Sequence, residues 1–127
     1  MLPTRHRMTK SSEFRQTVKR GVRTAHADLV IHLQRGCVGS TSGDVEGPKV
    51  GLIVGKSVGG AVVRHRVSRR LRHVAAEVLP TLEPVDRMVI RALPSSSTAL
   101  SASLRQQLRD GVHRSIHRLE PAPERQP

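Results

Sequence analysis

The apolar residues of this chain change period several times, and each change marks an element. Phe14 and Val18 lie one turn apart in "SSEFRQTVKRG". Ser11 or Ser12 suits a helix start, Lys19 and Arg20 suit the last turn, and Gly21 suits the stop, so this stretch predicts a short amphipathic helix. In "ADLVIHLQR", Leu29, Ile31 and Leu33 alternate with Asp28, Val30, His32 and Gln34. A period of two predicts a strand with one buried face. "VRTAH" just before it reads either as a paired strand or as an extended lead-in. Residues 49–55, "KVGLIVG", predict a second strand with Val50, Leu52 and Val54 on one side.

From Ala61 to about Leu79 the period lengthens. Val63, Val67, Leu71, Val74 and Val78 step by four, four, three and four, which is one stripe of a helix. Residues 86–93, "DRMVIRAL", alternate again, Met88, Ile90 and Ala92 against Arg87, Val89 and Arg91. After a "PSSS" turn, Leu100, Leu104, Leu108, Val112, Ile116 and Leu119 mark a last long helix, with Gly111 as a weak point. The order is helix, strand, strand, helix, strand, helix. That predicts an α/β (α+β) sandwich, a small sheet packed by helices, in one domain spanning 1–127. Residues 1–10 carry no apolar period and read as a flexible arm. The Gly- and Ser-rich stretch 36–48 reads as a loop, and 120–127 as a frayed tail.

Charge narrows the function. The chain has 22 Lys+Arg against 10 Asp+Glu, a net charge of +12, in 127 residues. A surplus this large points to a polyanionic partner, and at this size to nucleic acid. Phe14 is the sole aromatic residue, which argues against sheets that stack bases on exposed rings. The single cysteine, Cys37, excludes an internal disulfide and fits a reducing compartment. The N-terminus has no apolar signal core and no apolar run approaches a membrane span, so a cytoplasmic protein without a membrane partner is expected.

Two readings compete for "GKSVGGAVVRHRVSRRLR". Gly55-Lys56-Ser57 ahead of a helix suggests a nucleotide-binding loop. Such a loop has four residues between its first glycine and the Gly-Lys pair. Gly51 and Gly55 leave only Leu52, Ile53 and Val54, which alternate as a strand. Lys56 therefore reads as the start of a basic surface. The helix that follows holds five arginines and Glu77 as its counter-charge. At about 100° per residue, Arg66, Arg69 and His73 form one row away from the apolar stripe, and His65, Ser68 and Arg72 the next. Arg64 and Arg70 flank the stripe. Like charges so dense destabilise a helix unless a polyanion neutralises them. His113 and His117 have metal-ligand spacing but no third ligand nearby, and read as a solvated face. No pair of carboxylates and no Ser-His-Asp or Cys-His set is legible, so no catalytic or metal-binding side chain is expected.

The arginine stretch resembles the signature of the protein subunit of bacterial ribonuclease P. That family's pattern runs Lys, a short loop, Gly-Asn-Ala-Val, Arg-Asn-Arg, an aliphatic, Lys-Arg and a further Arg. Here it is Lys56, Gly59-Gly60-Ala61-Val62, Arg64-His65-Arg66, Val67, Ser68-Arg69, Arg70 and Arg72. The helix around Phe14 is similar to the family's first helix. The resemblance implies a fold like the second domain of a small-subunit ribosomal protein, with a left-handed β-α-β crossover. It implies a subunit of an endoribonuclease that removes 5′ leaders from precursor tRNA, with the chemistry on the RNA subunit and Mg2+ held by that RNA and substrate. It also implies two RNA surfaces. Lys56, Arg64, His65, Arg66, Ser68, Arg69, Arg70 and Arg72 would meet the catalytic RNA. Phe14, Val18, Val30 and His32 would line a cleft for the leader of precursor tRNA. His65, Ser68 and Gly60 stand where the family usually has Asn, Lys and Asn, and Val18, Leu29 and His32 where it often has aromatics. A ribosomal or general RNA-binding protein of similar fold is the alternative. A helix-turn-helix DNA binder fits less well, because strands lie on both sides of the arginine helix, and no DNA partner is expected.

Overall fold

The structure, a computed structural model, describes residues 2–35 and 47–119. Most of the expected loop 36–48, Cys37 with it, and the expected tail 120–127 lie outside these residues. The elements are α1 (Ser11–Arg20), β1 (Val22–Ala25), β2 (Leu29–Arg35), β3 (Lys49–Ile53), α2 (Ala61–Val78), β4 (Asp86–Ala92) and α3 (Ser101–Leu119), with 3-10 turns at Thr4–His6, Leu79–Thr81 and Pro94–Ser97. "VRTAH" thus supplies a strand, β1.

The sheet has the order β1-β2-β4-β3. β2 lies antiparallel to both β1 and β4, while β3 runs parallel to β4. A parallel pair needs a crossover, and α2 provides it. Leu29, Ile31 and Leu33 of β2, Met88 and Ile90 of β4, and Val50 of β3 face α2 and α3. There they bury against Val67, Leu71, Val74 and Val78 of α2 and Leu104, Leu108 and Val112 of α3. The α2 stripe read from periodicity is the packed stripe, except that Val63 at its start is half-buried.

Helix α1 packs on the opposite face, against β2 and β4. This changes the expectation for β2. All five residues Leu29–Leu33 are buried, not one alternating set. Val30 and His32 lie under α1, beside Val89 of β4. Alternation shows which residues share a face, but not whether a helix covers the second one.

The expected flexible arm is packed as well. Leu2 is 2% exposed and joins the main core, and Met8 is buried on the α1 side. The Met8 amide donates to the Val50 carbonyl at 2.8 Å, and His6 Nδ1 donates to the Pro48 carbonyl at 2.8 Å. Each residue anchors separately, so the segment has no period to read. Two helix starts also differ. Lys10, not a serine, precedes α1, and no side chain caps it. Leu100 is 75% exposed, ahead of the α3 helix whose stripe it was expected to open.

Gly111, the expected weak point of α3, packs tightly against Ile31 of β2. A Cβ there would overlap Ile31 Cδ1 and sit 2.9 Å from His26 Nε2. The cost of a helical glycine is about 1 kcal/mol relative to alanine, and here it permits the approach. Gly111→Ala should therefore destabilise the protein by about 1–3 kcal/mol through overpacking, despite alanine's better propensity. A urea melt showing equal or higher stability would contradict this. Nearby, the buried hydroxyls of Thr24 in β1 and Ser115 in α3 pair at 2.9 Å, so neither is left unsatisfied.

Candidate nucleic-acid interface

The turn between β3 and α2 answers the Gly-Lys-Ser question. The Val58 amide donates to the Gly55 carbonyl and the Gly59 amide to the Lys56 carbonyl, at 3.1 Å each. Amides that would cradle a phosphate are used inside the turn, and Lys56 stands exposed at its tip. Gly60 forms the N-cap of α2 without a side-chain cap, where an Asn would supply one.

The basic residues of α2 divide between two flanks of its packed stripe. On one flank, Arg66, Arg69, Arg70 and His73 face Ser101 and Arg105 of α3 across a groove of about 320 Å³, which buried Val74 also reaches. The Arg66, Arg69 and His73 row is thus not simply turned away from the protein; it forms one wall of a groove. Arg70 Nη1 donates to the Ala99 carbonyl at 3.3 Å, which anchors this wall to the chain entering α3. On the other flank stand Arg64, Ser68 and Arg72, all half-buried, with exposed His65 at the crest. The Arg64 Nε is buried and has no hydrogen-bond partner among the described residues. Of the eight residues expected here, only Arg66, Arg69 and Arg70 line the groove; Lys56, Arg64, His65, Ser68 and Arg72 do not.

One carboxylate borders this wall. Arg105 Nε donates to Glu77 Oε1 at 2.9 Å and its Nη2 to Oε2 at 3.3 Å. That hydrogen bonding, with the charges of Arg105, Arg109 and His73, holds the Glu77 carboxyl below its usual range. Ser101 and Arg105 had no sequence signal, because they are far from α2 along the chain. His73 did have one, its place in the Arg66 row.

The second expected surface is only partly open. Phe14 of α1 lies over Gly51 of β3, where a Cβ would overlap the ring. Phe14 and Val18 are half-buried, whereas Val30 and His32 are each 4% exposed. His32 is thus not presented for stacking in this structure, since α1 lies over that face. Two residues that the sequence pattern did not single out stand on the same face. Arg23 pairs with His32 across β1 and β2, and Arg91 pairs with Val30 across β2 and β4; both arginines are exposed. The alternation of Arg87, Val89 and Arg91 against Met88 and Ile90 was the available signal for Arg91. Arg87 itself sits 3.6 Å from Glu13 and ties α1 to the sheet.

Burial first, and then the charges of Arg91 and Arg23, push the His32 imidazole below its ordinary value of 6.5. Its Nδ1 has no hydrogen-bond partner among the described residues. A depressed folded-state value means that the unfolded chain binds the proton more readily. The stabilising effect is therefore full above about pH 6.5 and declines as pH falls below it. His32→Phe should flatten this acid-side loss. Thermal melts at pH 5 and pH 7.5 check it, and an unchanged difference between wild type and variant would contradict the assignment.

The family model for ribonuclease P matches residues 2–115. The chain is 86% identical over 126 residues to the ribonuclease P protein component of Mycobacteroides abscessus, covering 99% of each chain. It is 59% identical over 101 residues to that of Mycobacterium avium, covering 80% of this chain and 83% of the relative. Its fold is similar to the RNase P protein of Staphylococcus aureus, with a TM-score of 0.71 at 17% identity over 85% of this chain and 93% of the other. It is likewise similar to that of Thermotoga maritima, with a TM-score of 0.69 at 16% identity over 85% and 96%. Among the described residues, no helix is long and apolar enough to cross a membrane. The signature around the arginine helix, the mixed sheet that carries it and the match over nearly the whole chain agree: this protein belongs to the ribonuclease P protein family.

Proposed function

We propose that this chain acts as the protein component of a ribonuclease P ribonucleoprotein, binding the catalytic RNA through α2 and the 5′ leader of precursor tRNA along α1 and its sheet face. The observation that carries this reading is the α2 wall: Arg66, Arg69 and Arg70 beside Arg105, in a chain of this family. Guanidinium forks suit phosphate oxygens, and placing several where two polyanions meet lowers their mutual repulsion. On the other surface, half-buried Phe14 and Val18 offer apolar contact, while Arg23 and Arg91 offer charge to a single strand. Leader binding here relies more on backbone charge than on base stacking.

The chemistry itself falls to the RNA in this reading, with magnesium held by RNA and substrate. Three of the described carboxylates are already engaged by arginines. Asp86 is engaged by Arg35, Glu77 by Arg105 and Asp110 by Arg114. No three His, Cys, Asp or Glu side chains gather as a metal site among the described residues.

Reconstitution tests the proposal. The chain is mixed with a bacterial ribonuclease P RNA and a precursor tRNA at low magnesium, and cleavage is compared with RNA alone. A clear gain in cleavage rate, with tighter binding of precursor than of mature tRNA, is expected. No gain would sink the reading.

A further inference from the structure

Arg105 of α3 has no place in the motif on α2, yet it completes the charged groove opposite Arg66, Arg69 and Arg70. It is also the groove arginine held in a bidentate pair, by Glu77. Both partners are partly exposed, at 38% and 35%. An exposed pair of this kind adds little to stability. Its clearer effect is electrostatic: it offsets one of four guanidinium groups crowded into one groove.

We propose that Arg105 is an RNA-phosphate ligand and that Glu77 is its built-in competitor, giving up Arg105 to a backbone phosphate when RNA enters the groove between α2 and α3. The proposal rests on α2 being the element that meets the RNA subunit. A phosphate presents the same fork of acceptor oxygens as a carboxylate, so Arg105 can exchange one for the other and keep two hydrogen bonds. The displaced Glu77 is not stranded. Arg109 and His73 are close enough to act on its carboxyl, and it lies at the solvent edge. Ser101 adds a hydroxyl on the same wall as Arg105, and Arg70 is fixed by the Ala99 carbonyl. A long RNA backbone running along α2 therefore meets a fourth arginine from another helix. In the free protein, the carboxylate lowers the attraction of this groove for stray anions.

The test uses the full chain and a bacterial ribonuclease P RNA. Affinity and its salt dependence are measured for wild type, Glu77→Gln, Arg105→Gln and the double variant, with Arg66→Ala as reference. Glu77→Gln should tighten binding several-fold. Arg105→Gln should weaken it by about tenfold and lower the salt slope by roughly 0.7–0.9, the value of one phosphate contact. In the double variant the gain from Glu77→Gln should vanish. If that gain persists without Arg105, Glu77 acts as general charge and the competitor role fails. If Arg105→Gln leaves affinity and slope unchanged while Arg66→Ala weakens both, α2 remains the RNA-binding element and the groove proposal falls alone. If neither substitution changes binding, the reading of α2 falls as well. Thermal melts confirm that each variant is folded. Ser101→Glu supplies a further check: it places a carboxylate in the groove one turn from Arg105, so it should weaken binding, and no weakening would count against RNA occupying the groove.

Discussion

Alanine at Arg66 and Arg69 together should weaken binding to the ribonuclease P RNA on the order of 100-fold. Each exposed guanidinium lines the groove, and neither is paired with an acid among the described residues. Losing a charge-assisted contact costs about 1.5 kcal/mol at the low end, and each 1.4 kcal/mol is about tenfold in affinity. The salt dependence separates this from indirect damage. Two lost phosphate contacts should lower the slope of log affinity against log salt by roughly 1.4–1.8. Binding measured across a salt series checks both quantities. An affinity loss with an unchanged slope would mean that the groove wall is not the phosphate-binding face. Because α2 packs through Val67, Leu71, Val74 and Val78 on a different stripe, the double variant should melt near wild type.

Replacing Asp86 with alanine should have the largest effect on folding. Asp86 is fully buried at the start of β4. Its Oδ1 accepts from Arg35 Nε at 2.9 Å. Its Oδ2 accepts from Arg35 Nη2 at 3.2 Å and from the Glu83 amide at 2.8 Å. The carboxylate thus joins the end of β2 to the turn that enters β4, at the register pair Arg35–Asp86. Removing the buried carboxylate costs about 3–4 kcal/mol, the low end for a buried pair because the Arg35 side chain is 31% exposed, and it takes from the Glu83 amide the acceptor it has here. Whole domains are stable by only about 5–15 kcal/mol. Asp86→Ala should therefore lower the melting temperature by roughly 10–20 °C for a chain of this size. A shift of only a few degrees would show that water replaces the carboxylate with little loss. Asp86→Asn, which keeps an acceptor oxygen, should recover part of the stability.

Much of the fold is legible from local pattern. The α2 stripe from Val67 to Val78, the Met88, Ile90 and Ala92 set of β4 and the Leu104, Leu108 and Val112 face of α3 are buried as their spacing indicates. Spacing also separates Gly55-Lys56-Ser57 from a nucleotide loop, and the turn's own hydrogen bonds agree. His32 shows where local pattern stops. Alternation puts it on the face opposite Leu29, Ile31 and Leu33. Whether that second face is wet depends on α1, and α1 covers it. Leu2, His6 and Met8 show the same limit, because single anchors leave no repeat to detect.

The basic helix, its packed stripe and the strand set are written in the order of residues, and the signature from Lys56 to Arg72 carries the family with them. Period, charge and residue order are properties of neighbours along one chain, so they can be read without coordinates. Three other features exist only in the folded molecule. The arginines of α2 split between two flanks; Arg66, Arg69 and Arg70 face Arg105 and Glu77; Arg23 and Arg91 join Phe14's side of the sheet. Those juxtapositions depend on which helix lies against which face. Distant segments such as α2 and α3 become neighbours only when burial of their apolar stripes brings them together.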